Sequence, residues 1–596
     1  MMELILGIDL GTTNSEVAVV RNNKAEILFE DGEAILPSFV GLDADNRLLV
    51  GAAARNQWAL APERTVRSIK RRMGTSDAVQ LGDQSYTPQE ISAFILRKLH
   101  ERAEKQLGQP VRKAVITVPA FFNETQREAT REAGELAGLE VVRIINEPTA
   151  ASLTYDPCPE KMERLLVYDL GGGTFDVSIV QIEQGVVEVL SSHGDTQLGG
   201  DDFDQLLLDY VCDEFKKEHD VDLRPSLVAK SRVLRAVEEA KKRLSTEPAV
   251  WIEEEFITEK KGTPLHLRCE LLRHDYEQLI MPLLQKTLTC IDQSLSDAKL
   301  NATQIDKVIL VGGASRTPLV REMLETQLGQ PVHAEVDPDL CVAMGAAIQG
   351  GLIAGNNVGP VLVDITPHTL GIQVQGEMAD RLSHYCFAPL IHRNTPLPSR
   401  RSEIFTTAHN AQKTANISIF QGEDSDVRQN DAVGSFLLEG LAAVDAGNQV
   451  LVQFDLDLDG ILTVSATERV TGLQKQLIVD NAVTRFRARN RQDALARVEA
   501  AFLGGPGDTA TITPAALAAP SAPAADMPAE MAELIERCRQ SIAQSEQLIE
   551  KSNPADAAEM RQLVEQLRAA IAQRSQADME GVVSRLEDLV FYLQDA

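Results

Sequence analysis

The same short turn is written twice in this chain. Ile8-Asp9-Leu10-Gly11-Thr12-Thr13-Asn14 returns as Tyr168-Asp169-Leu170-Gly171-Gly172-Gly173-Thr174, with Asp9 and Asp169 standing 160 positions apart (169 − 9). Leu4-Ile5-Leu6 and Val17-Ala18-Val19 flank the first copy, and Leu165-Leu166-Val167 and Val177-Ser178-Ile179-Val180 flank the second. Both copies therefore read as strand, tight turn, strand. Glycines let backbone N–H groups come close to phosphate oxygens, threonine hydroxyls add donors, and a carboxylate before the turn can hold a hydrated hard cation. Two such hairpins facing one ligand imply a nucleoside triphosphate with magnesium.

A chain of 596 residues is long enough for several domains. The net charge of −30 argues against general binding to nucleic acid or to an anionic membrane. Seven scattered cysteines without a Cys-x-x-Cys pair suit a reducing compartment, which gives the expectation of a cytoplasmic protein. No apolar run reaches the roughly 20 residues needed to span a bilayer.

The composition changes along the chain. Residues 1–356 alternate apolar strand runs with amphipathic helix patterns such as Pro88 to Leu107 and Ser231 to Leu244, the signature of an α/β domain. Residues 357–365 form a short apolar linker, and 366–482 alternate strands with turns, as in Asn416-Ile417-Ser418-Ile419 and Val450-Leu451-Val452-Gln453-Phe454, and read as an all-β unit. A helical segment is expected over 483–503, a Gly-, Pro- and Ala-rich tether over 504–528, and a helical bundle over 529–596 with apolar stripes such as Leu534, Cys538, Ile542 and Ile549.

Gly7 through Ser15, Ile144-Ile145-Asn146-Glu147-Pro148-Thr149-Ala150-Ala151, Asp169 through Asp176 and Val311-Gly312-Gly313-Ala314-Ser315-Arg316 occur in one order. In these motifs the chain resembles the seventy-kilodalton heat-shock chaperones of DnaK type over roughly its first 480 residues. The resemblance implies an actin-like two-lobed α/β ATPase, then a β-sandwich that holds an extended peptide, then a small α-helical lid. The interrupted helical connection and the short interval between Lys70 and Glu90 are similar to specialised, short-lidded bacterial members.

Residue roles come from the same resemblance. Gly11, Thr12, Thr13 and Asn14 would hold phosphates from one lobe, and Gly172, Gly173 and Thr174 from the other. Asp9, Asp169 and Asp176 would order magnesium, potassium and their water shells. Lys70 would orient the attacking water, with Glu147 as its acidic partner and Thr174 and Asp169 also in the catalytic group. Glu238, Lys241 and Ser245, three and four apart on one helix face, match ribose and base contacts. Arg316 and the stem of Lys242 would cover the two faces of adenine, beside Gly312, Gly313, Ala314 and Asp339. Pro119, Arg127, Arg143, Leu362 and Asp364 match positions that relay nucleotide state, Arg143 near the contact for a J-domain co-chaperone. Pro360 departs from the aliphatic residue usual in the linker.

In the β unit, Ile372, Phe405, Ile417 and Ile461 match residues lining a slot for a leucine-like side chain. Gln375 and Ala415 replace larger or more apolar residues there, and with Ala408 they suggest a wider, more polar grip. The implied activity is ATP hydrolysis coupled to binding and release of unfolded segments. The implied partners are extended polypeptides, a J-domain co-chaperone and an exchange factor, with neither nucleic acid nor membrane. The same ATPase fold also serves small-molecule kinases, but a kinase accounts for neither the β unit nor the apolar linker.

Overall fold

The computed structural model describes residues 3–155, 161–329, 331–332, 337–356, 358–378, 381–458, 460–478, 494–502, 563–564 and 566–567. The chain divides into two compact units, Met1–Asp508 and Thr509–Ala596. The tether expected over 504–528, and all of the terminal bundle except the four residues just given, lie outside the described residues. In the second unit Leu563, Val564 and Leu567 are buried.

The duplicated turn is matched by duplicated sheet topology. In the first sheet Ile5–Leu10 pairs antiparallel with Asn14–Arg21 on one side and parallel with Lys113–Val118 on the other. In the second, Glu163–Leu170 pairs antiparallel with Phe175–Glu183 and parallel with Lys307–Val311. Each turn thus leaves the end of a central strand, where a ligand can approach the sheet from its edge. The central strands are buried along nearly their whole length, as strands covered on both faces must be.

Helix Pro88–Leu107 covers one face of the first sheet. Thr87 caps its first turn and the Glu90 carboxylate returns to the Thr87 amide, so two otherwise unpaired N–H groups are satisfied. Ile91, Phe94, Ile95 and Leu99 on the inner face are fully buried with Leu6, Ile8 and Val17 of the sheet. Helix Cys341–Ile353 carries Ala343, Gly345, Ala346, Ala347, Gly350 and Gly351 and packs into cores of both halves of the α/β region. A Cβ added at Gly345 would strike the carbonyl of Ala150 in helix Glu147–Leu153, so glycine is what allows these helices to touch.

Two four-stranded antiparallel sheets follow. One runs Arg381–Ile391, Leu370–Met378, Thr414–Gln421, Asp431–Glu439, and the other Ser399–Thr406, Gln449–Leu456, Leu462–Glu468, Gln474–Ile478. Alternate residues point inward, and Ile372, Ile419, Val452, Phe454, Val464 and Ala466 fill the space between the sheets. The linker is itself a strand: Val361–Val363 adds in parallel to Val186–Glu188 at the edge of the second α/β sheet. This exchanges an exposed apolar segment for backbone hydrogen bonds and partial burial of Leu362. Residues 494–502 are helical and pack on Pro88–Leu107, with Arg497 bonded to Glu90 and the Phe502 ring 5.9 Å from that of Phe94. Among the described residues no helix is long and apolar enough to cross a membrane.

Candidate nucleotide site

The two turns converge on one cavity of about 320 Å³ between the halves of the α/β region. Gly11, Thr12, Thr13 and Asn14 line it from one side, Gly172 and Thr174 from the other. A Cβ at Gly172 would collide with the Thr13 hydroxyl, and one at Gly199 would lie 2.6 Å from backbone atoms of Gly172 and Gly173. The turns therefore meet at backbone distance, which leaves N–H groups facing the cavity. Gly199 and Gly200 open helix Gly200–His219, so a helix N-terminus also points this way and adds positive partial charge for an anion.

Buried charge dominates the floor. Lys70 sits on a short 3₁₀ turn, Ile69–Arg72, and its ammonium bonds the Glu147 carboxylate, both side chains less than a tenth exposed. Burial alone would depress the Lys70 ammonium, but Glu147 and Asp9 outweigh it and hold it above its usual value. Burial raises Asp9 despite Lys70 and the hydroxyl of Thr117, which donates at 2.7 Å. Burial with the nearby Glu147, Asp176 and Asp9 lifts Asp169 well above the carboxylate range, and burial lifts Asp176 to about 7. One ammonium among this many carboxylates leaves a surplus of negative charge that a divalent cation would relieve.

A nucleoside triphosphate with magnesium fits these residues. The glycine cradle and threonine hydroxyls suit phosphate oxygens, and the carboxylates suit a hydrated ion. Among the described residues no three His, Cys, Asp or Glu side chains converge closely enough to hold a metal alone. Bound magnesium would supply charge neutralisation along the phosphates, and Lys70 places a fixed positive charge on the cavity floor. Farther out, Glu238, Lys241, Lys242, Gly312, Gly313, Ala314, Arg316 and Asp339 line the cavity. Lys242 bonds Glu238 at 2.7 Å and Arg316 bonds Asp339 at 2.6 Å, so both cations are steered to the rim.

Three expected contacts stand off the cavity. Ser245 follows the last turn of helix Leu227–Leu244 as its C-cap and lies past the lining residues. Gly173 turns its carbonyl outward to Arg71 at 2.9 Å. Asp176 lies one strand behind the lining, where it accepts the Phe121 amide at 3.0 Å. Conversely, Glu16, Gly200, Asp201 and Asp204 line the cavity without having been singled out. The Gly199-Gly200 pair before a helix pattern was a readable signal for three of them. Contacts across the cleft were not readable: Arg55 to Glu238 at 3.2 Å and to Glu239 at 3.1 Å, and Arg67 to Asp201 at 3.2 Å.

Of the positions expected to relay nucleotide state, Arg127 and Asp364 are joined through Asn146. Pro119 ends strand Lys113–Val118, and Arg127 donates to the carbonyl of Ala120 at 3.0 Å and to the Asn146 side chain at 2.6 Å. Asn146 in turn donates to Asp364 beyond the linker strand. Arg143 is half-buried three residues earlier on the same strand. In the sandwich, Ile372 and Ile417 are buried, and Phe405 and Ala415 pack against the same core. Ile461 is half-buried just before strand Leu462–Glu468. Gln375 falls in a register shift between Val374 and Gly376 and is exposed, and Ala408 is exposed beyond the end of Ser399–Thr406.

Fold and cavity together define a nucleoside-phosphate-binding α/β protein with a β-sandwich attached through an apolar strand. A family model described as Hsp70 protein matches residues 5–81 and 76–595. Chains named Chaperone protein DnaK from Thermotoga petrophila and Thermotoga maritima are 46% identical over 486 residues, 80% of this chain and 80% of theirs. One of the same name from Thermosipho africanus is 46% identical over 485 residues, again 80% of each chain. This chain belongs to the Hsp70 family. It is an ATP-dependent molecular chaperone, and the alternative of a small-molecule kinase finds no support in these relatives.

Proposed function

We infer that ATP hydrolysis to ADP and phosphate in the cavity controls how the β-sandwich holds extended apolar segments of unfolded proteins. The observation that carries this reading is the adjacency of Asn146 and Glu147. Glu147 bonds Lys70 inside the cavity, and its neighbour Asn146 bonds Arg127 and Asp364 outside it. Any shift of Glu147 on loss of the γ-phosphate is therefore transmitted, within one residue, to the anchor of the linker.

In this reading residues 1–356 are a two-lobed ATPase of actin-like fold, 366–482 the peptide-binding sandwich and 529–596 a tethered lid. Lys70 orients the water, while Thr12, Thr13, Gly172 and Thr174 position phosphate. Asp9, Asp169 and Asp176 order magnesium and potassium through water. Ile372, Phe405, Ile417 and Ile461 form the slot, widened at Ala415 and made more polar at Gln375. A J-domain co-chaperone acts near Arg143, an exchange factor opens the lobes, and the protein works in the cytoplasm. Stopped-flow release of a labelled apolar peptide, with ATP and with ADP, tests the central claim. ATP should speed release by orders of magnitude; equal rates in the two nucleotides would refute coupling.

A further inference from the structure

Lys70 reaches the cavity from the short 3₁₀ turn Ile69–Arg72, so whatever fixes that turn fixes where the ammonium stands. Within its own half of the α/β region, Ile69 is buried in the core. The other holds on the turn come from across the cleft, off the first turn of helix Gly200–His219. The Ser68 hydroxyl donates to Oδ2 of Asp201 at 2.5 Å, and the Arg67 guanidinium pairs with Oδ1 of the same carboxylate at 3.2 Å. The Arg67 and Asp201 side chains are less than a fifth exposed, which shields their pair from water. On the other side of Lys70, Arg71 bonds the Asp202 carboxylate and the Gly173 carbonyl.

Ser68 is the residue whose conformation needs this help. It precedes the turn with φ 52° and ψ 32°, in the left-handed region, where the Cβ of an L residue crowds the following carbonyl and only glycine goes free. A serine can ease such a turn by bonding a nearby backbone amide. Here the hydroxyl caps no amide of the 3₁₀ turn and is spent on Asp201 instead. A left-handed serine without local support persists only where its surroundings impose the conformation. Asp201 is itself anchored, because its amide donates to the Gly172 carbonyl at 2.7 Å and the Gly200 amide donates to the Gly171 carbonyl at 3.0 Å. A carboxylate fixed to the second phosphate turn therefore grips the residue two before Lys70 in the opposite half.

We propose that Asp201 is a positioning residue for ATP hydrolysis, acting through Ser68: by holding Ser68 in the left-handed conformation it sets the Lys70 turn in its working place. The grip spans the cleft, so it exists only while the two halves are closed. When they part, Asp201 leaves with the second half, Ser68 loses its partner and the turn that carries Lys70 relaxes. Hydrolysis is thereby tied to closure through one hydrogen bond outside the chemistry itself. The inference rests on Lys70 serving the hydrolytic step, as proposed above.

The test is single-turnover ATP hydrolysis by the full-length chain, with equilibrium ATP affinity measured beside it. Ser68→Ala removes the hydroxyl and keeps the conformational penalty, and it should slow hydrolysis by roughly tenfold while ATP affinity stays within about twofold of wild type. Ser68→Gly removes both, and it should hydrolyse within about threefold of wild type because glycine takes the left-handed conformation unaided. Asp201→Ala should lose about as much as Ser68→Ala, and adding Ser68→Gly to it should restore most of the rate, a rescue that general loosening of the cleft would not give. A wild-type rate in Ser68→Ala overturns the proposal, as does a glycine variant no faster than the alanine one. An Asp201→Ala defect that Ser68→Gly leaves in place also overturns it, and assigns Asp201 to direct contact with nucleotide. Wild-type hydrolysis by Lys70→Ala would overturn the role of Lys70 itself, a separable outcome.

Discussion

The Asn146 amide donates at 3.0 Å to both carboxylate oxygens of Asp364, a residue 218 positions further along the chain. The same Asn146 accepts from Arg127 at 2.6 Å, so one side chain ties the end of the linker to the wall of the ATPase region. Asp364 is half-buried there, and desolvation raises its carboxyl above the usual range even though the Ile365 amide, Arg127 and Asn146 favour the charged form. Asn146→Ala should leave that carboxylate short of donors, at about 1.5–3 kcal/mol against the docked linker. ATP affinity should stay within a few-fold of wild type, while ATP-accelerated peptide release falls by roughly tenfold or more. Parallel nucleotide titration and peptide dissociation would check this, and normal release kinetics would remove Asn146 from the relay.

Lys70 is the one ammonium at the centre of the carboxylate cluster, and its partner Glu147 is equally buried. Lys70→Ala should slow the chemical step by about 10²–10³-fold, the usual scale for losing one preorganised charge-stabilising group. ATP affinity should change far less, because glycine and threonine contacts to the phosphates persist. Single-turnover hydrolysis alongside equilibrium binding separates the two effects; a parallel loss of both would assign Lys70 to ground-state binding.

Arg55, on the short helix Ala52–Trp58, reaches across the cleft to Glu238 and Glu239 on helix Leu227–Leu244. Arg55 is partly exposed, so each pair contributes only about 0.2–1 kcal/mol. Arg55→Ala should therefore speed ADP release by a few-fold and leave hydrolysis unchanged. Stopped-flow displacement of a fluorescent ADP gives the rate directly.

These cross-cleft pairs mark the boundary of what the chain's text reveals. The two hairpins, helix Pro88–Leu107 and the alternating strands of the sandwich were legible because each is set by local periodicity and turn residues. The Lys70–Glu147 pair, 77 residues apart, was legible only through resemblance. Arg55 with Glu238 and Asn146 with Asp364 carry no local signal, since only the packed fold brings them together. Ser245 was placed by its spacing from Lys241, and it follows Leu244 as the helix C-cap in helical backbone conformation.

His368 joins the sandwich to the α/β region, its Nε2 donating to the Phe121 carbonyl at 3.1 Å with its ring 4.4 Å from that of Phe121. Burial pushes its imidazole down to about 4, with Arg127 adding to the effect and Glu423 and Asp431 opposing it. The folded chain keeps it neutral, whereas the unfolded chain protonates it below about 6.5. Wild type therefore loses stability at this residue as pH falls from about 6.5 toward 4. Burial raises Glu124 to about 8, which acts in the opposite sense but is common to wild type and variant. The stability of His368→Leu relative to wild type should accordingly improve by about 1.4 kcal/mol between pH 7.5 and 5.5. Denaturation at the two pH values measures the difference, and a pH-independent gap would show that His368 does not titrate with folding.

Arg497, in the helix at 494–502, bonds the Glu90 carboxylate at 2.7 Å, and the Glu90 side chain is 1% exposed. The same carboxylate accepts the Thr87 amide at 2.7 Å as part of the helix cap, so it is held in place before the helix at 494–502 arrives. A preorganised buried anion with one cationic partner among the described residues makes that partner count for more than a surface ion pair. Arg97 stacked 4.6 Å over the Phe502 ring adds an aromatic contact at the other end of the segment. Arg497→Ala should weaken docking of 494–502 on Pro88–Leu107 by about 1.5–3 kcal/mol. Amide hydrogen exchange across 494–502 should then quicken by roughly ten- to a hundredfold, with exchange in the sandwich sheets unaltered. Glu90→Gln paired with Arg497→Ala in a double-mutant cycle separates the pair from the cap. Additive effects in that cycle would show that apolar packing of Phe502, and not the buried ion pair, holds the segment.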